Sequence, residues 1–470
     1  MKYLFASLML LIIATFLPFQ LSLAQTDDDQ PNIIFIMADD LGYGDLGSYG
    51  QQDIKTPRLD QMSKEGLRFT QFYSGHTVCA PSRSSLMSGM HTGRTRIRGN
   101  FSVESGERVP LEPQDTTVAE VLQRAGYTTG LVGKWGLGEP ETLGIPNRKG
   151  FDYFWGFLNQ RRAHTYYPEY VWRNTNRVIL DGNQNGGRKQ FTHDLDMDKA
   201  RGFIRAHREG PFFLYLALQT PHAELLVPDD SKADYLDGDG NSIFEETPFP
   251  HVEQRSYSGQ EMPNATYAAM ISRMDRDIGR LLDLLKDLGI DENTMVLFTS
   301  DNGPHSEGGY DPDYFNSNGP LRGIKRDLYE GGIRVPMIAR MPGTIPAGEV
   351  SDQVWSMWDF LPTAAELAGT EPPQNIDGIS MKNALFNQPQ EDPEYLYWEF
   401  HEGVFSQAVR FGDWKAVRTD ANEPIELYDL SLDIGEENDI SKDHSDVVAR
   451  ARQLFQTART NSEHWPVESE

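Results

Sequence analysis

Continuously apolar runs alternate along the chain with stretches in which apolar positions recur every three or four residues. The runs are rich in β-branched and aromatic residues, which is typical of strands buried on both faces of a sheet. Four of them predict strands: 32–37, 128–132, 211–218 and 295–299. Helical spacing extends from Thr117 to Ala125 and from Ile271 to Leu288, and a glycine follows each stretch. The alternation predicts an α/β fold in which helices cover both faces of a large, mostly parallel or mixed sheet.

The pattern changes beyond Pro372 and Pro373, which mark a predicted domain boundary. Short runs then predict the strands of a small antiparallel sheet: 396–400, 406–411, 414–418 and 425–430. A closing amphipathic helix is predicted over 447–455. We therefore expect a catalytic domain over 25–375 and a smaller α+β domain over 376–470. Two earlier stretches lack a clear period and are predicted to be loops or insertions: 182–187 and 228–263.

Polar residues follow each of the four predicted strands of the large sheet directly. They are Asp39 and Asp40 after the first strand, Lys134 after the second, His222 after the third, and Asp301 and Asn302 after the fourth. In open α/β sheets the ligand crevice lies beyond the carboxyl ends of the strands. Four segments far apart in sequence are therefore predicted to meet at one site.

Composition and charge narrow the possible functions. The 470 residues include 43 Lys and Arg against 70 Asp and Glu, a formal net charge of −27, which argues strongly against a nucleic-acid binder. The single Cys excludes an intrachain disulfide framework, a zinc ribbon and an iron–sulfur site. A mean hydropathy of −0.53 argues against a polytopic membrane protein.

The first residues have the layout of a secretory signal peptide. Lys2 supplies a positive start, 4–17 are apolar, and Ser22 to Ala24 form a small-residue cleavage site. We predict that residues 1–24 are removed, which leaves an exported protein, periplasmic or secreted, with no stable membrane insertion. The alternative is an uncleaved membrane anchor. A bacterial lipoprotein is excluded because no Cys follows the apolar stretch.

The strand-end carboxylates suggest a metal site. Asp39, Asp40, Asp301 and Asn302 offer only oxygen ligands and three negative charges, a set that selects Ca²⁺ or Mg²⁺ over zinc, copper or iron. Such a cation would hold an anionic substrate oxygen and offset charge in the transition state. Either motif alone would be interpreted as a turn or a helix cap.

Cys79 is predicted to lie at the N-terminus of a helix, because Pro81 suits the first helical turn. The helix dipole favours anions and activated nucleophiles there. A lone cysteine elsewhere would more often be an inert buried residue.

The segment Cys79 to Arg83, with Gly89 and 92–94 downstream, resembles the signature of the formylglycine-dependent (type I) sulfatases of the alkaline-phosphatase superfamily. That family includes exported bacterial carbohydrate sulfatases and arylsulfatase A-like enzymes, and the resemblance extends from about Pro31 to Asp429. It implies that a maturation enzyme oxidises Cys79 to formylglycine. The hydrated aldehyde would then attack sulfur, and its second hydroxyl would release the sulfate.

The resemblance also implies individual roles. It makes Ca²⁺ ligands of Asp39, Asp40, Asp301 and Asn302, together with the modified residue 79, and favours Ca²⁺ over Mg²⁺. Its other matches are Arg83, which steadies the hydrate, Lys134, which binds sulfate, and His222 and Lys325, which contact sulfate and protonate the leaving oxygen. One position departs from the pattern, because Gly136 stands where many members have a histidine that helps to eliminate sulfate. His91, His305 or water are the candidates for that task.

Substrate recognition is predicted to depend on local cationic patches, because the net charge would repel a polyanion. His164, His305 and Arg322 are predicted substrate-binding residues, and the aromatic stretch 166–172 is predicted either to stack on a sugar or to pack a strand. We expect a sulfated carbohydrate substrate with a galactose- or N-acetylgalactosamine-type ester. The alternatives are a phosphodiesterase or phosphonate hydrolase of the same superfamily, and an exported glycan-binding protein that has lost turnover.

Overall fold

The protein was analysed as a computed structural model that describes residues 30–251 and 257–467, so the predicted signal peptide lies outside the described residues. Its strands are, in chain order, β1 (Asn32–Asp39), β2 (Leu67–Phe69), β3 (Phe72–Tyr73), β4 (Thr128–Lys134), β5 (Tyr153–Phe157), β6 (Tyr170–Arg173), β7 (Asn176–Ile179), β8 (Phe212–Pro221), β9 (Thr294–Ser300), β10 (Met337–Arg340), β11 (Glu349–Ser351), β12 (Trp355–Ser356), β13 (Leu396–Phe400), β14 (Ser406–Phe411), β15 (Trp414–Arg418) and β16 (Glu426–Asp429). Its helices are α1 (Pro57–Glu65), α2 (Cys79–Ser88), α3 (Val118–Arg124), α4 (Thr192–His207), α5 (Pro263–Asp287), α6 (Glu330–Ile333), α7 (Phe360–Leu367), α8 (Lys382–Leu385) and α9 (Ser445–Thr457). Within these ranges no helix combines the length and the apolar character needed to cross a membrane.

Ten strands form one large sheet in the order β11-β2-β10-β9-β1-β8-β4-β5-β6-β7. The five central strands, β9 to β5 in that order, are all parallel. Antiparallel strands flank them, since β10 pairs antiparallel with β9 and β6 pairs antiparallel with β5. The prediction of a large, mostly parallel or mixed sheet is therefore confirmed.

Helices cover both faces of this sheet, and β1 lies at its centre. Ile33 and Phe35 contribute to the core beneath α2, α3 and α7, whereas Ile34 and Ile36 contribute to the core beneath α1, α4 and α5. This two-sided burial explains why β1 is a continuous apolar run rather than an alternating one. Helix α5 begins at Pro263, earlier than the spacing from Ile271 predicts, because its first turns bury small residues such as Ala265.

The C-terminal part contains a second sheet of four antiparallel strands, β13-β14-β15-β16, as predicted. Helix α9 packs on one face through Leu454 and Phe455. The other face contributes Trp398 and Val417 to a core shared with Tyr73 of the large domain. The predicted fold class, an α/β layer structure with a smaller α+β part, is confirmed.

A buried group of charges joins the C-terminal sheet to α6 and to a two-stranded sheet, β3-β12, of the large domain. We call Glu330, Glu436, Lys415, Tyr73 and Arg334 the inter-sheet ion network. Lys415 Nζ donates to Glu330 Oε1 at 2.9 Å and to Glu436 Oε1 at 3.2 Å. Glu330 also accepts from Tyr73 Oη at 2.6 Å and from Arg334 Nη1 at 3.3 Å. All five side chains are buried, so each carboxylate depends on these partners in place of water.

Candidate active site

The predicted site residues meet at the carboxyl edge of the central strands. Asp39 is the last residue of β1 and Lys134 the last of β4, while His222 and Asp301 directly follow β8 and β9. All four side chains are buried. The parallel order of the strands brings these ends together, because parallel neighbours point their carboxyl ends the same way. Asp40 turns away from β1 with a φ of 66°, a left-handed conformation that Asp adopts more readily than most residues.

Cys79 is the first residue of α2, as the position of Pro81 predicts. Its Sγ lies 3.2 Å from Asp39 Oδ1 and 3.9 Å from Asp40 Oδ1. Burial and the charge of Asp39 raise the pKa of the Cys79 thiol well above its usual value. The unmodified side chain is therefore a protonated thiol at neutral pH, and a protonated thiol is a poor nucleophile.

Arg83 lies one turn further along α2 and binds two parts of the site. Its Nε and Nη2 donate to Asp301 Oδ2 at 3.0 and 2.7 Å, and its Nη1 donates to the Lys134 carbonyl oxygen at 2.9 Å. Two donors on one carboxylate oxygen hold the guanidinium in a fixed orientation. Arg83 thus ties α2 to the ends of β4 and β9.

Two lysines form close ion pairs with the strand-end carboxylates. Lys134 Nζ donates to both oxygens of Asp39, at 3.0 and 2.7 Å, and Lys325 Nζ donates to Asp40 Oδ2 at 2.7 Å. Burial alone would lower the pKa of each lysine, but Asp39 and Cys79 raise that of Lys134 and Asp40 raises that of Lys325 well above its usual value. Both ammonium groups are therefore charged and available to an anion that enters the site.

His222 presents one ring nitrogen to this pair. Its Nδ1–H donates to the Ala223 carbonyl oxygen, so Nε2 faces the site, 3.3 Å from Lys325 Nζ and 3.4 Å from Asp40 Oδ2. Burial lowers the pKa of His222 to about 3, despite the opposing charge of Asp40. The ring is therefore neutral, and its Nε2 can accept a hydrogen bond from the Lys325 ammonium group.

The carboxylate cluster fits a divalent cation. Asp39, Asp40, Cys79 and His222 each offer a ligand atom, and these atoms lie within 4.8 Å of one another. Asn302 Nδ2 donates to Asp40 Oδ1 at 2.7 Å, while its Oδ1 is buried without a hydrogen-bond partner. A buried amide oxygen without a donor is costly unless a ligand satisfies it. These residues form a buried acidic site that could bind a metal.

The pKa values of the carboxylates are also consistent with a bound cation. Burial and the neighbouring charge of Asp39 raise the pKa of Asp301 to about 7, although Arg83 opposes the rise. Burial would also raise the pKa of Asp39, but Lys134, His222 and Arg83 together hold it well below its usual range. A cation held between such carboxylates would stabilise their charged forms.

Two of the predicted substrate-binding residues border the site. The His164 ring lies 4.2 Å from the His222 ring, centroid to centroid, and its Nε2 is buried without a partner. The His305 ring lies 6.0 Å from the His222 ring, and its Nδ1 accepts the Glu307 amide hydrogen at 2.9 Å. Of the two histidines considered for sulfate elimination, His305 is thus beside the site.

The structure does not bring Arg322 or His91 into this cluster. Arg322 Nη1 donates to Tyr428 Oη at 3.1 Å and to the Glu436 carbonyl oxygen at 2.8 Å, so it contacts the C-terminal sheet. His91 Nε2 lies 3.6 Å from an oxygen of Asp377. The aromatic stretch divides, because Tyr166 is fully buried whereas Tyr170 and Trp172 belong to β6 and are partly exposed.

Gly136 has a φ of 78°, and a Cβ there would lie 3.0 Å from Gln160 Oε1. This φ strains any residue that carries a Cβ. At the position that departs from the family pattern, a larger side chain would thus be strained by the backbone and would require Gln160 to move.

Glu307 and Tyr257 belong to the site but were missed in the sequence. Glu307 Oε2 lies 3.6 Å from Lys325 Nζ and accepts from Tyr257 Oη at 3.3 Å. The Tyr257 ring in turn lies 6.0 Å from that of His164. Glu307 follows the Asp301 motif closely enough to be suspected, whereas Tyr257 lies in the irregular stretch 228–263 and has no such signal.

The chain is similar to known proteins over most of its length. Residues 31–370 match the family model described as Sulfatase, and residues 324–461 match one described as N-sulphoglucosamine sulphohydrolase, C-terminal. The chain is 34% identical over 409 residues to N-acetylgalactosamine-6-sulfatase of Canis lupus familiaris, which covers 82% of this chain and 71% of that protein. It is 33% identical over 469 residues to arylsulfatase A of Homo sapiens, with 86% and 82% covered. Among solved structures, Ps i-CgsB in complex with k-i-k-neocarrahexaose is similar with a TM-score of 0.77 and 29% identity, over 93% of this chain and 94% of that one.

Proposed function

We propose a substrate for this chain, which belongs to the sulfatase family and is a sulfuric ester hydrolase. The proposed substrate is a sulfated carbohydrate with a galactose- or N-acetylgalactosamine-type ester. The observation that carries this proposal is the meeting of Cys79, three carboxylates and three cationic side chains at one edge of the sheet. The substrate class is supported by the similarity to N-acetylgalactosamine-6-sulfatases and to a structure in complex with k-i-k-neocarrahexaose. Buried cations of this kind favour a compact oxyanion over water.

Two groups complete the proposed site. Ca²⁺, held by Asp39, Asp40, Asp301, Asn302 and residue 79, would supply positive charge next to a sulfate oxygen, with Mg²⁺ the second choice. Formylglycine, made from Cys79 by a maturation enzyme, would supply the oxygen nucleophile that the protonated thiol cannot. The orphaned Asn302 Oδ1 and the high pKa of the Cys79 thiol are the observations that support these two choices.

The protein's own side chains bind the sulfate and move the proton. Lys134 and Lys325 hold the sulfate oxygens, since their ammonium groups are charged, buried and aimed at the carboxylates that frame the site. His222 Nε2 and Lys325 Nζ, 3.3 Å apart, contact the sulfate and protonate the oxygen of the departing alcohol. In the resting site the proton is on Lys325, because His222 is neutral. Arg83 keeps Asp301 in place throughout.

Export is part of the proposal. Residues 1–24 act as a cleaved signal peptide, which leaves a mature protein over residues 25–470 with a catalytic domain to residue 375. N-terminal sequencing of protein recovered from the native host tests this directly. A start near Gln25 is expected, and an intact Met1 would contradict the proposal.

The central experiment is peptide mass spectrometry across Cys79 combined with sulfate-release assays on the same preparation from the native exporting host. We expect replacement of the CH₂SH group by CHO, and release of sulfate from galactose 6-sulfate or N-acetylgalactosamine 6-sulfate. An aryl phosphodiester serves as the competing substrate. Unmodified Cys79 in active protein would overturn the mechanism, and preferential cleavage of the phosphodiester would overturn the substrate class.

A further inference from the structure

Beside the site, Arg108 is a cation without a full set of partners. Its Nη1 is buried and has no hydrogen-bond partner, and its Nε lies 3.7 Å from Glu139 Oε1, too far for a hydrogen bond. Glu139 instead accepts from Asn159 Nδ2 at 2.7 Å. The Arg108 guanidinium lies 4.7 Å from the centroid of the Phe101 ring, which is 47% exposed.

Several other buried arginines in the described chain pair closely with a carboxylate, although Arg201 and Arg459 also keep one buried nitrogen without a partner. Arg98 donates to Glu399 at 3.0 Å, Arg340 to Asp291 at 2.7 Å, and Arg273 to Asp194 at 2.7 Å. The protein has a net charge of −27, so carboxylates are abundant. A general shortage of acidic residues therefore does not explain why Arg108 lacks a close carboxylate partner. A guanidinium with a dry, unused donor is matched by an anion that arrives from outside.

Arg108 lies against loops at the edge of the sheet that holds the active site. Its neighbours Glu139 and Asn159 come from the loops that follow β4 and β5, at the edge where Lys134 lies. Lys134 in turn pairs with Asp39, whose Oδ1 lies 3.2 Å from Cys79 Sγ. Arg108 and the active site therefore share this edge of the sheet.

A polar acceptor lies beside this arginine. Gln160 Oε1 is buried without a partner and faces Gly136, while Gln160 Nε2 donates to Asn100 Oδ1 at 2.6 Å. Asn100 precedes Phe101 in sequence, so the exposed ring, the guanidinium and the amide oxygen form one wall. An aromatic face, a fork of donors and an acceptor are the groups that bind a charged sugar.

We propose that Phe101, Arg108 and Gln160 form a second binding position in which Arg108 takes an additional anionic group, a sulfate or a carboxylate, on the sugar that bears the scissile sulfate or on its neighbour. The inference rests on the proposed function and adds to it a requirement for a second negative charge. Phe101 packs against the sugar ring, and Gln160 Oε1 accepts from a sugar hydroxyl. The enzyme would therefore prefer a doubly charged oligosaccharide to its singly charged counterpart.

Calorimetry on the Cys79→Ala protein tests this without any dependence on maturation or turnover. The ligands are a galactose monosulfate, the matching galactose disulfate, and a monosulfated disaccharide that carries a uronic acid. We expect the second anion to tighten binding about tenfold, as a charge-assisted hydrogen bond does. In Cys79→Ala/Arg108→Ala the gain disappears, and in Cys79→Ala/Arg108→Lys part of it remains. Whichever of the two doubly charged ligands shows the gain identifies the anion.

The matched control is Arg124→Ala, which removes an exposed arginine at the end of α3, before the amino end of β4. It should retain the full preference for the second anion. Equal loss of affinity for singly and doubly charged ligands in Arg108→Ala would overturn the inference, as would an absence of preference in the Cys79→Ala parent. Sulfate release by the matured wild-type protein distinguishes failure of this inference from failure of the proposed function. If sulfate is released while the Arg108 variants bind like the Cys79→Ala parent, only this inference fails. If no sugar sulfate is hydrolysed, the proposed function fails with it.

Discussion

The active site and the inter-sheet ion network are both groups of buried charge, yet they differ in how their polar atoms are satisfied. In the network, Glu330 and Glu436 share Lys415, and Tyr73 and Arg334 complete Glu330. In the active site, Asn302 keeps a free oxygen and Cys79 presents a thiol to two carboxylates. The comparison teaches that burial of ions is not by itself a sign of function. Of these two groups, the active site is the one whose partners are incomplete, which leaves room for a ligand.

The largest expected effect is a loss of activity with little change in stability. Cys79→Ala should lower sulfate release by at least about 10⁴-fold, because no other nucleophile replaces residue 79. The free energy of unfolding should stay within about 1 kcal/mol of the wild type, since only a thiol contact is removed. Sulfate release and urea unfolding measure the two sides. Retention of activity within tenfold of the wild type would contradict the mechanism.

The next prediction compares one buried lysine from each group. Lys134 and Lys415 are both fully buried and both pair with carboxylates, one in each group. Lys415→Met should lower the free energy of unfolding by about 3–5 kcal/mol, because it leaves buried carboxylates without their cation. Lys134→Met should instead lower kcat/KM by about 10²- to 10³-fold.

The two lysine variants are compared by measuring both stability and activity for each of them. Each variant is measured by urea unfolding in the presence of Ca²⁺ and by sulfate release at a temperature where both are folded. If Lys134→Met proved as unstable as Lys415→Met while turning over normally, the two groups would not differ as described.

Calcium should raise the free energy of unfolding by about 2.7 kcal/mol when the active site is intact, whether or not the inter-sheet ion network is. At a free Ca²⁺ concentration a hundred times its dissociation constant, binding to the folded state alone raises the free energy of unfolding by that amount. Lys415→Met should respond to Ca²⁺ as the wild type does, whereas Asp301→Asn should lose most of the response. Thermal unfolding with Ca²⁺ and with a chelator measures it. An equal response in Asp301→Asn would place the ion elsewhere.

The smallest effect for each step of the measurement is a slope with pH, and it belongs to the network. Burial raises the pKa of Glu436 to about 7, from an ordinary value of 4.5. Between these values the folded protein binds a proton that the unfolded chain has lost, so the free energy of unfolding falls as pH rises through this window. Glu436→Gln should reduce that slope by up to about 1.4 kcal/mol per pH unit.

Glu330→Gln tests the same slope from the other side of the pair. Burial would raise the pKa of Glu330, but Lys415 and Arg334 hold it at about 2, so Glu330 stays ionised between the two values quoted for Glu436. Because the charge of Glu330 helps to raise the pKa of Glu436, its replacement should lower that pKa and narrow the pH window in which stability falls. Urea unfolding across the window measures both variants, and an unaltered slope in Glu436→Gln would contradict the assignment.

The central strands could be predicted from the sequence because their burial on two faces makes them continuously apolar. The short strands could not. Strands β3 and β12 have two residues each, and β2 and β11 have three, so they carry no period and exist only through their pairing with distant segments.

The site divides in the same way. Asp39, Lys134 and Asp301 could be found because they end strong strands. Arg322 stays a predicted substrate-binding residue. It contacts Tyr428 of the C-terminal sheet and the Glu436 carbonyl oxygen, and nothing near it in sequence indicates these contacts. Arg108 lies in a loop without a motif, so only its surroundings in space reveal that it lacks a partner.

The order in which the chain is made has a consequence for Cys79. Strand β1 is synthesised early, but the first hydrogen-bonded neighbours it needs come 180 residues later, in β8, and 262 residues later, in β9. Such long-range pairing is slow, so the segment around residue 79 spends an interval outside any folded structure. Once β9 is in place the thiol is 1% exposed. Any enzyme that modifies Cys79 therefore has to act within that interval, and the rate of sheet closure sets how long the opportunity lasts.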